Sequence, residues 1–346
     1  MPDRIKVALI THKGGAHVSA YLNALAATEE CSSVVLVDPD GRWNTDAERV
    51  LGEKLAVVSK DLSATLKTKK PQMALVTMEA KLAPPVINAA LDAGCHVFAE
   101  KPSCVGTADF KPLVDKADRQ HKHLVLAFAN RLNPEAVAAR RIISSGKIGK
   151  LYGLEMHLIA DQTRLTRTSY QKAWFSSKER GGGGHLIWLG IHWLDLAMHL
   201  TGSSIESVAG FTAIVGGQPI DVEDSATAAL KFDNGMLGTI TSGYYLERGY
   251  HSHIKIWGSK GWLHLEPMKE QPLTWYSTTG PQAGKVQAWE GSKNPRGYTP
   301  FVEAAVKACA TMGDPPVASS ESLRALSTVF AIYEAAESGK TIRIQT

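Results

Sequence analysis

The chain has 346 residues, 44% of them hydrophobic and 21% charged, and a formal net charge of +4. This length exceeds one ordinary core and predicts two domains, and the small basic excess is too evenly spread to form a stripe for nucleic acid. The N-terminal apolar run is too short for a signal peptide, and no uncharged apolar run is long enough to cross a bilayer. Because the four cysteines have neither disulfide nor metal-ligand spacing, we expect reduced thiols and a cytoplasmic protein.

The first elements of the chain are typical of a dinucleotide-binding unit. An apolar strand over Ile5–Ile10 runs into the turn THKGGA, and an amphipathic helix follows over His17–Ala27. A second strand over Val34–Val37 ends at Asp38. In this order of elements the turn and the helix N-terminus hold a pyrophosphate, and the carboxylate accepts hydrogen bonds from the adenosine ribose. The cofactor-binding residues predicted here are His12, Gly14, Gly15 and Asp38.

The glycine fingerprint of this turn is weak. Against the pattern G-x-G-x-x-G/A, the key positions are Thr11, then Lys13 or Gly14 depending on register, and Ala16. Asp38 favours NAD, because a carboxylate there would repel the 2′-phosphate of NADP, whereas the nearby Arg42 keeps NADP open. The alternative for Asp38, in the stretch DPDG, is an ordinary turn residue.

Further strands and helices alternate over the next hundred or so residues. We predict strands over Met73–Thr77, His96–Ala99 and His123–Ala129, with a helix over Pro84–Ala93. Alternation with short connections predicts a parallel, doubly wound sheet, in which ligands bind at the carboxyl ends of the strands. The predicted cofactor-binding residues at these ends are Thr77, Glu100, Lys101 and Asn130.

The stretch from Gly181 to Gly202 combines four glycines with a strongly apolar run. Its polar interruptions recur at steps of three and four, which predicts one buried helix with a polar stripe made of His185, Trp188, His192, Asp195 and His199. Unpaired buried polar groups are costly, so such a stripe must find partners or line a cavity. We therefore take it as a candidate site.

The remaining elements read mainly as strands. They are predicted over Leu151–Ala160, Ser207–Val215, Ser225–Phe232, Met236–Tyr245, His253–Trp257 and Trp262–Glu266, with tight hairpins at 233–235 and 258–261. We expect a loop over Thr279–Gly297, which is rich in Gly, Pro, Ser and Lys. Few helices are available to cover such a sheet, so we expect its other face to meet another subunit in a homo-oligomer, a dimer or a tetramer.

An ordered set of motifs through almost the whole chain resembles the Gfo/Idh/MocA family. The motifs are AGCHVFAEKP (93–102), ANRLNPE (129–135), ISSGKIGKLYGLEMH (143–157) and the tail ESLRALSTVFAIYEAAESGKTIRI (321–344). A further motif is the stretch 181–202, which in family members has a sequence close to GGGxLxDxGxHxxD. The resemblance implies an α/β chain with an N-terminal Rossmann domain, here 1–128. It also implies a substrate-binding and oligomerisation domain, here 129–346, on a large open antiparallel sheet.

The family typically moves a hydride between a sugar or cyclitol carbon and a nicotinamide, and this implies roles for specific residues. Lys101 matches the lysine of the EKP motif, whose ammonium would hold and polarise the reacting oxygen. His192 matches the histidine of the helix motif and would act as the acid/base catalyst. Asp195 would orient it or bind substrate, with a structural salt link as the alternative.

Two departures from the family pattern affect the site. The family's aspartate, four residues before the histidine, is Trp188 here, and an indole offers one N–H donor and no proton acceptor. After Thr77 the usual Pro-Asn is replaced by Met78 and Glu79. The substrate-binding residues we predict are Trp174, His185, Trp188 and Asp195. No metal is expected on the helix, since its histidines, seven residues apart, lie about 10.5 Å apart along the axis.

The leading function is an NAD-dependent oxidoreductase acting on a hydroxyl-bearing carbon of a sugar, sugar derivative or cyclitol. One alternative is a redox-neutral glycosidase or lyase of the same fold, which recycles its NAD within each turnover. Another is a non-catalytic nucleotide-binding sensor or regulator, which Trp188 and the weak glycine turn favour and the pair Lys101 and His192 disfavours.

Overall fold

The computed structural model describes residues 4–245 and 248–345. The strands, in chain order, are β1 Ile5–Thr11, β2 Cys31–Val37, β3 Leu55–Ser59, β4 Met73–Thr77, β5 His96–Ala99, β6 Leu124–Leu126, β7 Leu151–Asp161, β8 Ile205–Ala213, β9 Ser225–Phe232, β10 Leu237–Tyr245, β11 Tyr250–Gly258, β12 Gly261–Leu265, β13 Leu273–Ser277, β14 Val286–Ala288 and β15 Ile342–Arg343. The helices are α1 Val18–Ala27, α2 Asn44–Leu51, α3 Leu62–Lys69, α4 Ala83–Asp92, α5 Thr107–Arg119, α6 Pro134–Ser144, α7 Thr168–Gln171, α8 Lys178–Gly181, α9 Ile191–Thr201, α10 Tyr298–Thr311 and α11 Ser319–Ser338.

The chain divides into two compact units. The first comprises Met1–Ala129, Glu179–Gly182 and Pro295–Leu323, and the second comprises Asn130–Lys178, Gly183–Asn294 and Arg324–Thr346. Two segments that the predicted boundary at residue 128 assigns to the second domain, 179–182 and 295–323, thus pack with the first unit. The predicted loop over Thr279–Gly297 contains the short strand β14 and the point, after Asn294, where the chain passes between units.

The first unit is built on a six-stranded parallel sheet in the order β3-β2-β1-β4-β5-β6. Its central strands are buried along most of their length and alternate with helices, which confirms the predicted doubly wound sheet. The strand order reverses between β1 and β4, and dinucleotides bind at this switch point in such sheets. Strand β3 was not predicted, and β6 ends at Leu126 because the chain turns into a 3₁₀ helix over Ala129–Leu132.

The edge of this sheet at β6 is covered by the first turn of α11, which is distant in sequence. The Leu124 N–H donates to the Ser319 hydroxyl at 3.4 Å, and the Leu126 N–H donates to the Ser322 hydroxyl at 3.2 Å. An uncovered edge would present these donors as a template for pairing with another chain. The return of α11 therefore protects the edge of the first unit.

The second unit is built on a nine-stranded sheet in the order β14-β13-β12-β11-β7-β10-β9-β8-β15. The sheet is mixed: β10 pairs with β7 in parallel, whereas the other pairings are antiparallel. The predicted large antiparallel sheet is therefore confirmed, with one parallel pair within it. Parallel neighbours need a long crossover, and the helices that follow β7 supply it. Strand β15 confirms the last strand that the tail predicted, and β13 was not predicted.

The two faces of this sheet differ in burial. One face carries the buried side chains Leu154, Met156, Ile240, Ile254 and Leu263, against which helices of the unit pack. The opposite face, which we call the open face, carries Glu155, His157 and His253 together with exposed apolar groups. Its most exposed apolar side chains are Phe211 at 75%, Leu237 at 62% and Val286 at 62%.

The predicted single helix over the stretch 181–202 is wrong in its first half. Residues Leu186–Gly190 form a π-helical turn. Helix α9 begins only at Ile191 and ends at Thr201, and it is followed by Gly202, which has φ 66°. Because a π-helical turn holds more residues than an α-helical one, the steps of three and four no longer align on a single stripe. A reason for the irregularity lies in the contacts of the glycine run, described below.

The four cysteines are buried free thiols. Across the described parts of the chain, none of the helices has the length and apolarity that a membrane span requires.

Candidate active site

The turn after β1 is closed by its own side chains. The Thr11 hydroxyl donates to the Thr77 carbonyl at 3.2 Å, and the Thr77 hydroxyl donates to the Ala16 carbonyl at 2.6 Å. A Cβ on Gly15 would lie 2.2 Å from the Thr11 Oγ1, and one on Gly14 would lie 2.8 Å from the His12 Cε1. Both glycines are therefore required by the packing of the turn, which brings Thr77 to the predicted pyrophosphate site.

His12 supports this turn from within. Its Nε2 accepts the backbone N–H of Glu79 at 3.1 Å, and burial lowers its pKa below 6.5. Glu79 in turn forms an ion pair with Arg180, whose carbonyl accepts the N–H of Lys81 at 3.1 Å. The chain after Thr77, where the family's usual Pro-Asn is replaced, is thus held by His12 and Arg180.

Asp38 lies at the end of β2 and its carboxylate closes the turn that follows. Its two oxygens accept the N–H groups of Asp40 at 3.2 Å and Trp43 at 2.7 Å, and the residue is fully buried. The Arg42 guanidinium lies over the Trp43 ring, 5.2 Å from its centroid. Asp38 therefore closes this turn, and its two oxygens keep acceptor capacity for a further hydrogen bond.

Glu100, after β5, lies at the centre of a buried polar cluster. It accepts hydrogen bonds from the Tyr21 hydroxyl and from His17 Nδ1, the latter at 3.0 Å, and the Tyr298 hydroxyl lies 3.1 Å from the same His17 nitrogen. Burial raises the pKa of Glu100, but His17, Lys101 and Tyr21 favour the charged form and together hold it below 4.5. The carboxylate is therefore ionised. Tyr21, Tyr298 and His17 were not predicted, since they come from helices far from Glu100 in sequence.

Lys101 is buried next to this carboxylate, with 1% of its surface exposed. Burial lowers its pKa to about 8, against the opposing effect of Glu100. A lysine with this pKa exchanges its proton close to neutral pH, which is uncommon for a lysine and frequent at functional sites. The peptide bond from Lys101 to Pro102 is cis.

Asn130 and Asp195 belong to the second unit and are held by near neighbours. The Asn130 Oδ1 accepts from the Asn133 side chain at 3.3 Å. Asp195 accepts two hydrogen bonds from the Arg131 guanidinium, at 2.7 and 2.9 Å, and both side chains are 2–3% exposed. This bidentate pair is the structural salt link named as the alternative for Asp195.

Trp174 and Trp188 lie together in an aromatic cluster. Their rings meet edge-on with centroids 5.2 Å apart, and Trp188 stacks on Phe175 at 4.8 Å with an interplanar angle of 18°. The Tyr170 ring lies 4.7 Å from Phe175, and its hydroxyl bonds to that of Tyr244. Trp174 is buried and Trp188 half-buried, so the indole in place of the family's aspartate forms one wall of an apolar cluster.

His185 joins the same cluster from the other side. Its ring meets Tyr244 edge-on with centroids 4.4 Å apart, and its Nδ1 lies 2.7 Å from the Ser242 hydroxyl. A Cβ on Gly190 would lie 2.7 Å from that same hydroxyl oxygen. The π-helical turn thus packs tightly against β10, because Ser242 contacts His185 before the turn and lies close to Gly190 at its end.

The glycine run is held by a carboxylate that the sequence did not point to. Glu223 accepts the N–H groups of Gly184 at 2.6 Å and Leu186 at 2.9 Å, and it also accepts the Tyr333 hydroxyl at 2.9 Å. A Cβ on Gly184 would lie 1.9 Å from the Glu223 carbonyl, and one on Gly183 would lie 2.2 Å from the Tyr333 hydroxyl. Glu223 stands in the acidic stretch DVED, which reads as a surface loop.

The environment of Glu223 makes it a buried, easily protonated carboxyl. Burial raises its pKa to about 7, although the two N–H donors and Tyr333 act in the opposite direction. Glu223 and Tyr333 together bind the backbone of residues 184–187. This contact positions the turn that leads directly into α9.

His192 lies in the first turn of α9 and is half-buried, whereas His199, near its end, bonds to Arg140. Burial and the cations Arg131 and Arg140 lower the pKa of His199 to about 3, so it is neutral and structural. The five residues of the predicted stripe therefore have different surroundings. Trp188 and His185 share the aromatic cluster, and Asp195 and His199 each bind an arginine.

Comparison with known proteins identifies the two halves of the chain. Residues 5–128 match the family model described as the oxidoreductase family with an NAD-binding Rossmann fold. Residues 136–264 match the model of the GFO/IDH/MocA C-terminal domain. These matches confirm the family resemblance, the oxidoreductase class and the NAD cofactor.

Individual relatives match most or all of the chain. The myo-inositol 2-dehydrogenase of Thermotoga maritima is 22% identical over 307 residues, which cover 87% of this chain and 88% of that protein. An oxidoreductase domain protein from Kribbella flavida has the same fold, with a TM-score of 0.89 at 22% identity and 100% coverage of both chains. Levoglucosan dehydrogenase in complex with NADH and L-sorbose has a TM-score of 0.86 at 18% identity over 99% of both chains. The chain therefore belongs to the Gfo/Idh/MocA family of oxidoreductases, with an NAD-binding Rossmann fold in its first third.

Proposed function

We propose that this enzyme oxidises a hydroxyl-bearing carbon of a sugar, sugar derivative or cyclitol, with NAD as the hydride acceptor. The named relatives support the substrate class, since one is an inositol dehydrogenase and another was crystallised with NADH and a sugar. The observation that carries the proposal is Lys101, a buried ammonium with a pKa of about 8 at the carboxyl end of a central parallel strand.

The residues of the first unit fit a dinucleotide. Thr77 and the turn with Gly14 and Gly15 lie at the switch point of the sheet, next to the N-terminus of α1, where the helix dipole favours a pyrophosphate. Within the described residues, Glu100 Oε1 is a buried oxygen with no hydrogen-bond partner, so an acceptor remains for a cofactor hydroxyl or amide. When bound, NAD would supply the acceptor of the hydride. Further residues proposed to hold it are His12, Asp38, Lys101 and Asn130.

Two side chains would handle the proton of the substrate hydroxyl. Lys101, as the ammonium, would donate a hydrogen bond to the reacting oxygen and stabilise the negative charge that develops there. His192, half-exposed at the start of α9, would accept the hydroxyl proton. Glu223 and Tyr333 support this role, because they hold the turn from which α9 begins.

The family's aspartate would bind substrate hydroxyls through hydrogen bonds. In this chain the aromatic cluster would bind the substrate through apolar contact instead. Trp188 is half-buried and stacked on Phe175, and a sugar ring packs well against such a flat apolar surface. Trp174 and His185 would shape the same wall from behind. Asp195 would act at a distance by fixing Arg131 and α9, rather than by direct contact with substrate.

A panel of cyclitols, glucosides and anhydrosugars, assayed for NADH formation, tests the proposal. Lys101→Met keeps the length of the apolar stem but removes the ammonium, and we expect kcat/KM to fall by about 10²- to 10³-fold. Binding of NAD, measured by calorimetry, should persist. The matched control is Lys111→Met, since Lys111 is exposed and paired with Asp115, and it should leave kcat/KM unchanged.

Two results would contradict the proposal. Undiminished turnover in Lys101→Met would remove the ammonium from the mechanism. Release of a free sugar or an aglycone without net NADH would instead favour the redox-neutral glycosidase or lyase.

We further propose that the chain assembles as a homo-oligomer through the open face and folds as two domains that divide near residue 128. Exposed Phe211, Leu237 and Val286 support the first point, because a sheet face that leaves large apolar side chains exposed is a typical site of association. Four buried free thiols support a reducing compartment such as the cytoplasm.

A further inference from the structure

The open face of the nine-stranded sheet carries a cluster of side chains with metal-ligand chemistry. His157 on β7 lies directly opposite His253 on β11, and their rings stack with centroids 4.6 Å apart at 14°. The His253 Nε2 lies 3.0 Å from the Glu155 Oε1. These three residues take no part in the proposed active site.

We propose that Glu155, His157 and His253 form a binding site for a divalent zinc ion. Each residue offers one ligand atom, and the three atoms lie within 4.8 Å of one another. Ligand atoms of a tetrahedral zinc ion lie about 3.3 Å apart, because Zn–N and Zn–O bonds are about 2.0–2.2 Å long. Because the lone pair of an imidazole nitrogen lies in the ring plane, the two stacked rings would turn so that both nitrogens point at one ion.

The donor set selects for zinc over the common hard cations. Two imidazoles and one carboxylate are typical ligands of zinc, whereas magnesium and calcium prefer oxygen donors throughout. Three protein ligands leave the fourth position to water. Alternating strand geometry places the three side chains on one face of two paired strands, so the site needs no contribution from a loop.

The surroundings leave the cluster accessible to a cation. In the single chain the side chains of His253 and Glu155 are 24% and 39% exposed, so an ion can reach them before the open face meets a second copy. The cation nearest in register, Lys255, has its ammonium over the Trp257 ring, 5.3 Å from the centroid.

The backbone at this position is fixed from the other side of the sheet. The Trp193 indole N–H donates to the His253 carbonyl at 3.1 Å. The imidazole of His264 on β12 lies edge-on to that of His253, with centroids 5.3 Å apart, and its Nδ1 is 3.7 Å from the Glu266 carboxylate. These contacts hold the backbone of His253, so that only side chains would need to move when the ion binds.

Isothermal calorimetry with zinc chloride on full-length, tag-free protein, stripped with a chelator and dialysed, tests the site. We expect one zinc per chain. His157→Ala and His253→Ala should each weaken binding at least about tenfold, and the isosteric Glu155→Gln should weaken it as well. His251→Ala is the matched control, because His251 is an exposed histidine of the same strand outside the cluster, and it should bind zinc like the wild type.

Cobalt substitution gives a second readout, since absorption bands of tetrahedral cobalt should appear in the wild type and be lost in the His157 and His253 variants. Circular dichroism of each variant verifies the fold. The proposal is overturned if the wild type binds no zinc at micromolar concentrations, or if binding is the same in all variants of the cluster. It is equally overturned if His251→Ala alone loses the metal.

Discussion

At the scale of single residues, the neighbours Glu100 and Lys101 determine how the reaction should depend on pH. Burial lowers the pKa of Lys101 to about 8, and Glu100 opposes this shift. Since the ammonium is the form we assign to the reaction, kcat/KM should fall as the pH rises through about 8. Glu100→Gln removes the carboxylate that favours the ammonium. The falling limb of the pH profile should therefore move to lower pH in this variant.

The profile of kcat/KM between pH 6 and pH 10 measures this shift. A limb that stays in place in Glu100→Gln would show that another group titrates there. An isosteric change at the exposed carboxylate of Asp115, Asp115→Asn, is the control and should leave the profile unchanged.

Asp195 should be more important for stability than for substrate affinity. Its carboxylate forms a buried bidentate pair with Arg131. Loss of one charge of a buried pair costs about 3–5 kcal/mol, because the carboxylate no longer offsets the desolvation of the guanidinium. Asp195→Asn should therefore lower the free energy of unfolding by an amount in this range. In the fraction that folds, KM should change little. A large rise in KM at unchanged stability would restore the predicted role in substrate binding.

These residues also show what local sequence can indicate. Lys101 and His192 stand in motifs with a fixed spacing, so they could be singled out directly. The partner of Asp195 is 64 residues away, and that of Glu223 in the glycine run is 39 residues away. No periodicity links such positions, and both pairings depend on how the second unit folds.

At the scale of elements, the contact of Glu223 with the glycine run should make stability depend on pH. Its pKa is about 7 in the folded chain and 4.5 ordinarily, so the folded state retains a proton that the unfolded state releases in this window. The stability contributed by this carboxyl is greatest below pH 4.5 and declines as the pH rises to about 7. A shift of this size corresponds to roughly 3 kcal/mol.

Denaturant unfolding of the wild type and Glu223→Gln, compared from pH 4.5 to pH 8, isolates this contribution. The unfolding free energy of the wild type, relative to that of Glu223→Gln, should fall as the pH rises, because only the wild type carries the ionisable group. Glu334→Gln is the matched control, since Glu334 is an exposed carboxylate on α11, next to Tyr333. A difference that is constant with pH would mean that Glu223 is ionised throughout.

Strands could be predicted where the burial of their side chains is uniform or alternates regularly. The strands β4 and β5 are buried at every position and have the predicted bounds, because continuous apolar runs identify them. Strands β3 and β13 are only partly buried, with patterns that neither alternate nor stay apolar, and they were missed. The π-helical turn over Leu186–Gly190 could not be predicted either, since Glu223 and Tyr333, which bind its backbone, are distant in sequence.

At the scale of the whole molecule, the described residues form no layer over the open face of the nine-stranded sheet. Because few helices were predicted, we expected one face of this sheet to remain uncovered within the chain. The exposed side chains of the open face agree with that expectation. Phe211, Leu237 and Val286 lie on three different strands of this face. The row of paired strands between β14 and β8 would give a second copy a broad surface, of the size that stable interfaces need, about 800 Å² per partner.

Phe211→Asp should therefore separate the oligomer into monomers, because a charge buried in an apolar interface without a partner is costly. Light scattering coupled to size-exclusion chromatography, at several protein concentrations, measures the mass directly. Met268→Asp is the control, since Met268 is 58% exposed in the turn between β12 and β13, outside the face. A wild type that is monomeric at micromolar concentration would refute assembly through this face. So would a Phe211→Asp variant that retains the mass of the wild type while Met268→Asp loses it.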